Sequence, residues 1–122
     1  MAYTTIDDPA QYFNTVLYTG NGSDDRSISG VGFQPNFLWV KERSATSGHI
    51  IVDSIRGATK FIQSHNNTAE DTNADIIQAF ESDGFQIGTH QAINENSETY
   101  VAWNWKEDTT AGFDIVTYTG AS

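Results

Sequence analysis

A chain of 122 residues has the length of one ordinary domain, and it can bury roughly two-thirds of its unfolded surface in a single core. It contains no cysteine, which excludes disulfides, thiolate metal sites and cysteine nucleophiles together. Sixteen acidic residues against six basic ones give a formal net charge of −10, a surface that repels phosphate backbones and so excludes nucleic acid and anionic membrane as natural partners.

The N-terminal segment has neither a basic patch nor an apolar core, so it does not read as a signal peptide. Residues 1–12 read as an arm. Within it Asp7 and Asp8 are helix-capping residues, and Pro9 to Tyr12 suits one helical turn. Phe13 to Thr19 is the first clear strand. Gly20 to Asp25 is a polar loop, and Arg26 to Ile28 suits a short edge strand. Pro35 stops any ladder before Phe37 to Lys41, a nearly all-apolar run expected to be a central strand covered on both faces.

His49 to Asp53 and Lys60 to Gln63 read as two further strands around a turn at Arg56–Gly57–Ala58. His65 to Asn73 reads as a polar loop, with room for a helical turn at Ala69–Asp71. Ile76 to Phe80 and Phe85 to Thr89 flank Asp83–Gly84, a pair that predicts a tight hairpin with a positive φ at the turn. Asn94 to Ser97 is a second turn. It leads into Tyr100 to Lys106, where Val101, Trp103 and Trp105 share one face. No apolar run approaches the ~20 residues that span a bilayer, so no membrane insertion is expected. Short strands at this spacing predict an all-β antiparallel sandwich over residues 13–106, with a linker and a further strand in 107–122.

One internal repeat stands out. Phe13–Asn14–Thr15–Val16–Leu17–Tyr18–Thr19–Gly20 recurs as Phe113–Asp114–Ile115–Val116–Thr117–Tyr118–Thr119–Gly120, with five of eight positions identical at an offset of 100 residues. The second octet is either a closing strand of this domain or the first strand of a following unit. Both readings hold if consecutive units share an edge.

Candidate chemistry is thin. Asp53 and Arg56 flank a turn and read as a structural ion pair. His49, His65 and His90 lack metal-ligand spacing, and Asp24–Asp25 lacks the spaced acids of a calcium loop. A glycosidase needs two carboxylates across a cleft, and sixteen acids always supply some pair. Neither a nucleophile elbow nor a phosphate loop occurs. Trp39, Trp103, Trp105, Tyr100 and Phe33 are the candidates for a sugar-stacking platform. The competing reading places Trp39 and Trp103 in the core, with Trp105 nearer the surface.

Several motifs recur together. They are Met1 to Pro9, Phe13 to Gly20, Gly32–Phe33–Gln34–Pro35 ahead of Trp39–Val40–Lys41, Asp53 to Ala58, Phe80 to Phe85, and Tyr100 to Lys106. In this order they resemble a family of large, repetitive marine bacteriophage proteins, described as tail-fibre or concanavalin A-like lectin/glucanase-type proteins. The resemblance covers residues 1–106 nearly continuously. It implies a sandwich of the concanavalin A-like or jelly-roll type and a virion location. It also implies a structural and attachment role, with this domain as an N-terminal unit docking to the particle through residues 1–12. Expected partners are other virion proteins, copies of itself and host-surface glycans. A carbohydrate-binding module is the alternative, and a glycan hydrolase or lyase a third. The resemblance transfers no catalytic, cofactor-binding or metal-binding residue, no cofactor, and no defined ligand-binding residue.

Overall fold

A computed structural model describes residues 5–122, so the first four residues of the expected arm lie outside it. Among the described residues, nine strands form two antiparallel sheets. In chain order they are β1 (Phe13–Thr19), β2 (Arg26–Ser29), β3 (Phe37–Glu42), β4 (Ile50–Asp53), β5 (Lys60–Ile62), β6 (Asp71–Thr72), β7 (Ile77–Glu81), β8 (Gly84–Ile87) and β9 (Thr99–Trp105). The large sheet has the order β1-β9-β3-β4-β5-β6 and the small one β2-β8-β7. The chain is therefore an all-β sandwich.

The core lies between the sheets. The large sheet contributes Leu38, Val40, Ile50, Val52, Phe61, Tyr100 and Ala102, and the small sheet contributes Ile28, Ile77, Phe85 and Ile87. Tyr18 of β1 reaches across to Phe85 at 6.3 Å and stacks on Tyr100 at 5.1 Å. Its hydroxyl donates to the Ile93 carbonyl at 2.8 Å, and burial pushes its pKa well above the usual phenol range.

Local chemistry explains most boundaries. Asp8 accepts from the Ala10 backbone N–H at 3.1 Å and caps a 3₁₀ turn over Pro9–Gln11, the cap and turn expected there. A four-residue helix, α1 (Gln91–Asn94), occupies the segment ahead of the expected second turn. His90 caps it by accepting from the Ala92 N–H at 3.1 Å. The expected helical turn at Ala69–Asp71 does not form. Asp71 and Thr72 instead pair with Phe61 and Lys60 as the edge strand β6.

The β7–β8 hairpin forms, but one residue earlier than the Asp83–Gly84 motif suggests. Glu81 pairs with Gly84, so Ser82 and Asp83 make the turn. Gly84 does not sit at positive φ. It is required because a Cβ there would meet the Ile28 carbonyl oxygen of β2 at 1.9 Å. Asp83 earns its place differently. Its carboxylate accepts from Gly32 N–H at 2.6 Å and Gly30 N–H at 3.0 Å, tying the hairpin turn to the loop before β3.

Residues beyond β9 form no strand. Asp108 bridges to Phe113, and the rest of the second octet runs on with Val116 and Tyr118 74% and 89% exposed.

Candidate functional site

The pleat of the large sheet sorts its side chains into two sets. Tyr100, Ala102 and Asn104 of β9 are the buried set, and Val101, Trp103 and Trp105 face outward, only partly covered. On β3, Leu38, Val40 and Glu42 are buried, while Phe37 and Trp39 are the half-covered set. The expectation that Trp39 and Trp103 are core is therefore corrected. Period-two alternation holds on β9, but the face carrying the tryptophans is the outer one. Likewise β3 is central but covered on one face only. Phe33 is buried in the core and so leaves the candidate platform, as does Tyr100.

Register turns the outward residues into rows across the sheet. Phe13 pairs with Trp105, and Trp105 with Phe37. One step along, Thr15, Trp103, Trp39, Ile51 and Ile62 fall in line across β1, β9, β3, β4 and β5. The rings touch. Phe13 lies 4.8 Å from Trp105, Phe37 5.1 Å from Trp105, and Trp39 5.6 Å from Trp103. Phe113, arriving from the linker, adds a ring 6.3 Å from Trp105 and 6.0 Å from Phe37. Phe13, Trp39, Trp103 and Trp105 line a shallow cavity of about 280 Å³. Tilted and edge-to-face pairs of this kind are worth about 0.5–1.5 kcal/mol each beyond burial, so the rings support one another as a contiguous band.

His49 orients the band at its inner end. The Trp39 indole N–H donates to His49 Nδ1 at 2.8 Å. Burial, then the positive charge of Lys41 and the neighbouring His65, lowers the His49 pKa and keeps that nitrogen an acceptor. The His49 backbone N–H in turn donates to His65 Nδ1 at 3.1 Å. His49 and His65 thus converge, with rings 6.1 Å apart, whereas His90 caps α1 elsewhere. Among the described residues no group of three or more His, Asp or Glu is arranged to hold a metal ion.

The acidic candidates resolve into structural roles. Asp53 is buried and pairs with Arg56 Nε at 2.5 Å, and Arg56 reaches Glu70 at 3.1 Å. Asp53 Oδ1 also accepts from the Ile55 and Arg56 N–H groups, so it shapes the turn. Asp24 accepts from Gln78 Nε2 at 2.9 Å, joining the polar loop to β7. A second cleft, of about 490 Å³, is lined by Glu42, Glu95, Glu98 and His90 among others. Its carboxylates lie near enough to Tyr100 to help burial raise that phenol's pKa.

One residue that the sequence did not mark organises this end of the fold. Asn94 is fully buried. Its Nδ2 donates to the Ser23 and Gly88 carbonyls, both at 2.8 Å. Its Oδ1 accepts from Asn21 N–H at 3.0 Å and Arg26 Nη1 at 3.2 Å. Nothing in its sequence neighbourhood distinguishes it from an ordinary turn asparagine.

No helix among the described residues is long and apolar enough to cross a membrane. Searches of curated proteins and of solved structures each found no match. A family described as a domain of unknown function (DUF7483) matches residues 8–122, a span that includes both octets, and the chain belongs to that family.

Proposed function

We propose that this domain is a structural and attachment module of a virion fibre or appendage, binding neighbouring protein through the outer face of its large sheet, and not an enzyme. The aromatic band carries the reading. A soluble sandwich has no folding reason to line the solvent side of its central strands with Phe13, Phe37, Trp39, Trp103 and Trp105. Aromatic side chains with fixed geometry are what interface centres are made of. The motif resemblance to repetitive phage fibre proteins supplies the setting, and the second octet fits a string of like units.

The test replaces Trp39 and Trp103 by alanine and follows incorporation into particles, with urea denaturation as the folding control. The variant is expected to remain folded and to fail in incorporation or attachment. Unchanged assembly and attachment with a folded variant would overturn the proposal.

The cavity over Phe13, Trp39, Trp103 and Trp105 favours one second reading, a lectin-like module stacking the C–H face of a host-surface sugar on these rings. A glycan array with the intact chain and with Trp103→Ala decides it. Binding lost in the variant supports the lectin reading, and no binding by the intact chain removes it.

A further inference from the structure

The two octets differ in a pattern that the fold explains. In β1 the side chains of Val16 and Tyr18 face the core, and Gly20 is buried at the strand's end. A Cβ on Gly20 would meet the Glu95 carbonyl oxygen at 2.0 Å, so this position admits only glycine. Phe13 lies on Trp105. All four are repeated in the second octet as Val116, Tyr118, Gly120 and Phe113. Three positions change: the outward, exposed Thr15 and Leu17 become Ile115 and Thr117, and the inward Asn14 becomes Asp114, while the outward Thr19 is kept as Thr119. Where the second octet now lies, Val116, Tyr118 and Gly120 have no such duties. Val116 and Tyr118 are exposed, and a Cβ on Gly120 would meet nothing within 4 Å.

The connection permits more than resemblance. β1 runs antiparallel to β9, with Phe13 opposite Trp105 and Thr19 opposite Thr99. A strand that follows β9 and folds back on it takes the same direction and the same side. The turn for this is already made. Gly112, at φ +71°, donates to the Asp108 carbonyl at 3.0 Å, and Asp108 N–H donates to the Phe113 carbonyl at 3.1 Å. Phe113 already stacks on Trp105 and lines one cavity with Phe13.

We propose that the β1 position on β9 is an exchangeable strand-binding site and that Phe113–Gly120 is a second strand built to fill it, folding back as a hairpin on its own β9. In the exchanged state Phe113 faces Trp105, Val116 faces Ala102 and Tyr118 faces Tyr100, the register that Phe13, Val16 and Tyr18 keep now. A one-residue slip would turn Val116 and Tyr118 out of the core, so the register is specified. The exchange frees residues 13–20, which can then pair with the β9 edge of a copy whose own second octet is not folded back, the logic of strand donation between units.

One residue biases the competition. Asn14 Nδ2 donates to the Val31 carbonyl at 2.9 Å, a bond that its counterpart Asp114 cannot make. Asp114 would set a carboxylate against that carbonyl. β1 therefore holds the site in this structure.

The native chain has no cysteine, so engineered pairs report the exchange cleanly. Val101 faces outward opposite Leu17. In this 122-residue chain, Leu17→Cys with Val101→Cys is the reference crosslink, and Thr117→Cys with Val101→Cys reports the second octet. Oxidation followed by a non-reducing gel and peptide mapping reads both. The Thr117 pair is expected to form within one chain. Adding Asp114→Asn is expected to raise its yield about five-fold, the effect of one recovered hydrogen bond. Absence of the Thr117 crosslink in both backgrounds, while the Leu17 pair forms, would overturn the proposal. A Thr117 crosslink that joins only two chains would overturn the hairpin. Neither result depends on particle assembly, so this test stands apart from the one above.

Discussion

Truncating Asn94 to alanine removes four hydrogen bonds at once, two donated and two accepted. The losses are unequal. Gly88 is buried, so its carbonyl is left unpaired away from water, a cost of ~2 kcal/mol. Ser23 and Asn21 lie on an exposed loop and Arg26 is half-covered, so water replaces Asn94 there and each loss is worth ~0.5–1 kcal/mol. The total is ~4 kcal/mol, a large share of the ~5–15 kcal/mol that stabilises a domain. With a urea slope of about 2 kcal/mol per molar, the unfolding midpoint should fall by about 2 M while the slope stays constant. Hydrogen exchange should show the Gly20–Asp25 loop opening first, since Asn94 holds it through Asn21 and Ser23. Asn94→Asp should be no better, because it keeps the acceptor bonds but sets a buried carboxylate against two carbonyls. A loss below about 1 kcal/mol at unchanged slope would refute the assignment of Asn94 as the hub of this end of the fold.

Gly84→Ala should destabilise by ~2 kcal/mol or more, because its Cβ would lie 1.9 Å from the Ile28 carbonyl oxygen and the backbone of β2 must move to admit it. The same denaturation assay checks it, and a near-neutral result would mean that β2 is not held against β8 as described. Asp83 supplies a pH test. Its two backbone hydrogen bonds hold its pKa below the ordinary 3.8. A depressed carboxylate stabilises the fold above its unfolded value, and that contribution disappears as pH falls through the lower folded value. Asp83→Asn should therefore flatten the loss of stability measured between about pH 5 and about pH 2. An identical acid limb in the variant would show that the Gly30 and Gly32 contacts do not hold the carboxylate.

Strand positions were largely legible because alternation and turn residues are local properties. β1, β3, β4, β7, β8 and β9 all fall within a residue or two of the expected runs. Facing was not legible on β9, and the reason is physical. Its sequence Tyr100–Val101–Ala102–Trp103–Asn104–Trp105 has apolar groups on both sides, and the side with the larger rings was the natural candidate for the core. The fold instead buries Tyr100, Ala102 and Asn104, because the neighbouring small sheet presses on that side with Phe85 and Ile87. Pairing across strands, which no single strand encodes, decides the matter. α1 and β6 are too short to carry a period. Asn94 and Gly84 owe their roles to groups distant in sequence, such as Ser23 and Ile28.

The same separation of local from long-range information explains why the repeat was visible and its meaning was not. Similarity between two octets is a property of the sequence. Whether it reflects shared strand propensity or a shared binding position depends on which residues face what. Propensity alone would preserve Thr15 and Leu17 as readily as Val16 and Tyr18, since all four suit a strand. A shared position on β9 accounts for the retention of Val16, Tyr18 and the terminal glycine, which are confined there, while among the outward residues Thr15 and Leu17 change and Phe13 and Thr19 are kept. The substitution of Asn14 by Asp114 then has a consequence that propensity cannot give it. It removes the Asn14 donor aimed at the Val31 carbonyl, which on the proposed exchange favours β1 as the occupant. With two strands proposed to compete for one edge, and an aromatic band beginning at that edge with Phe13 on Trp105, the proposed joining of a neighbour and the presentation of the band would depend on the same strand.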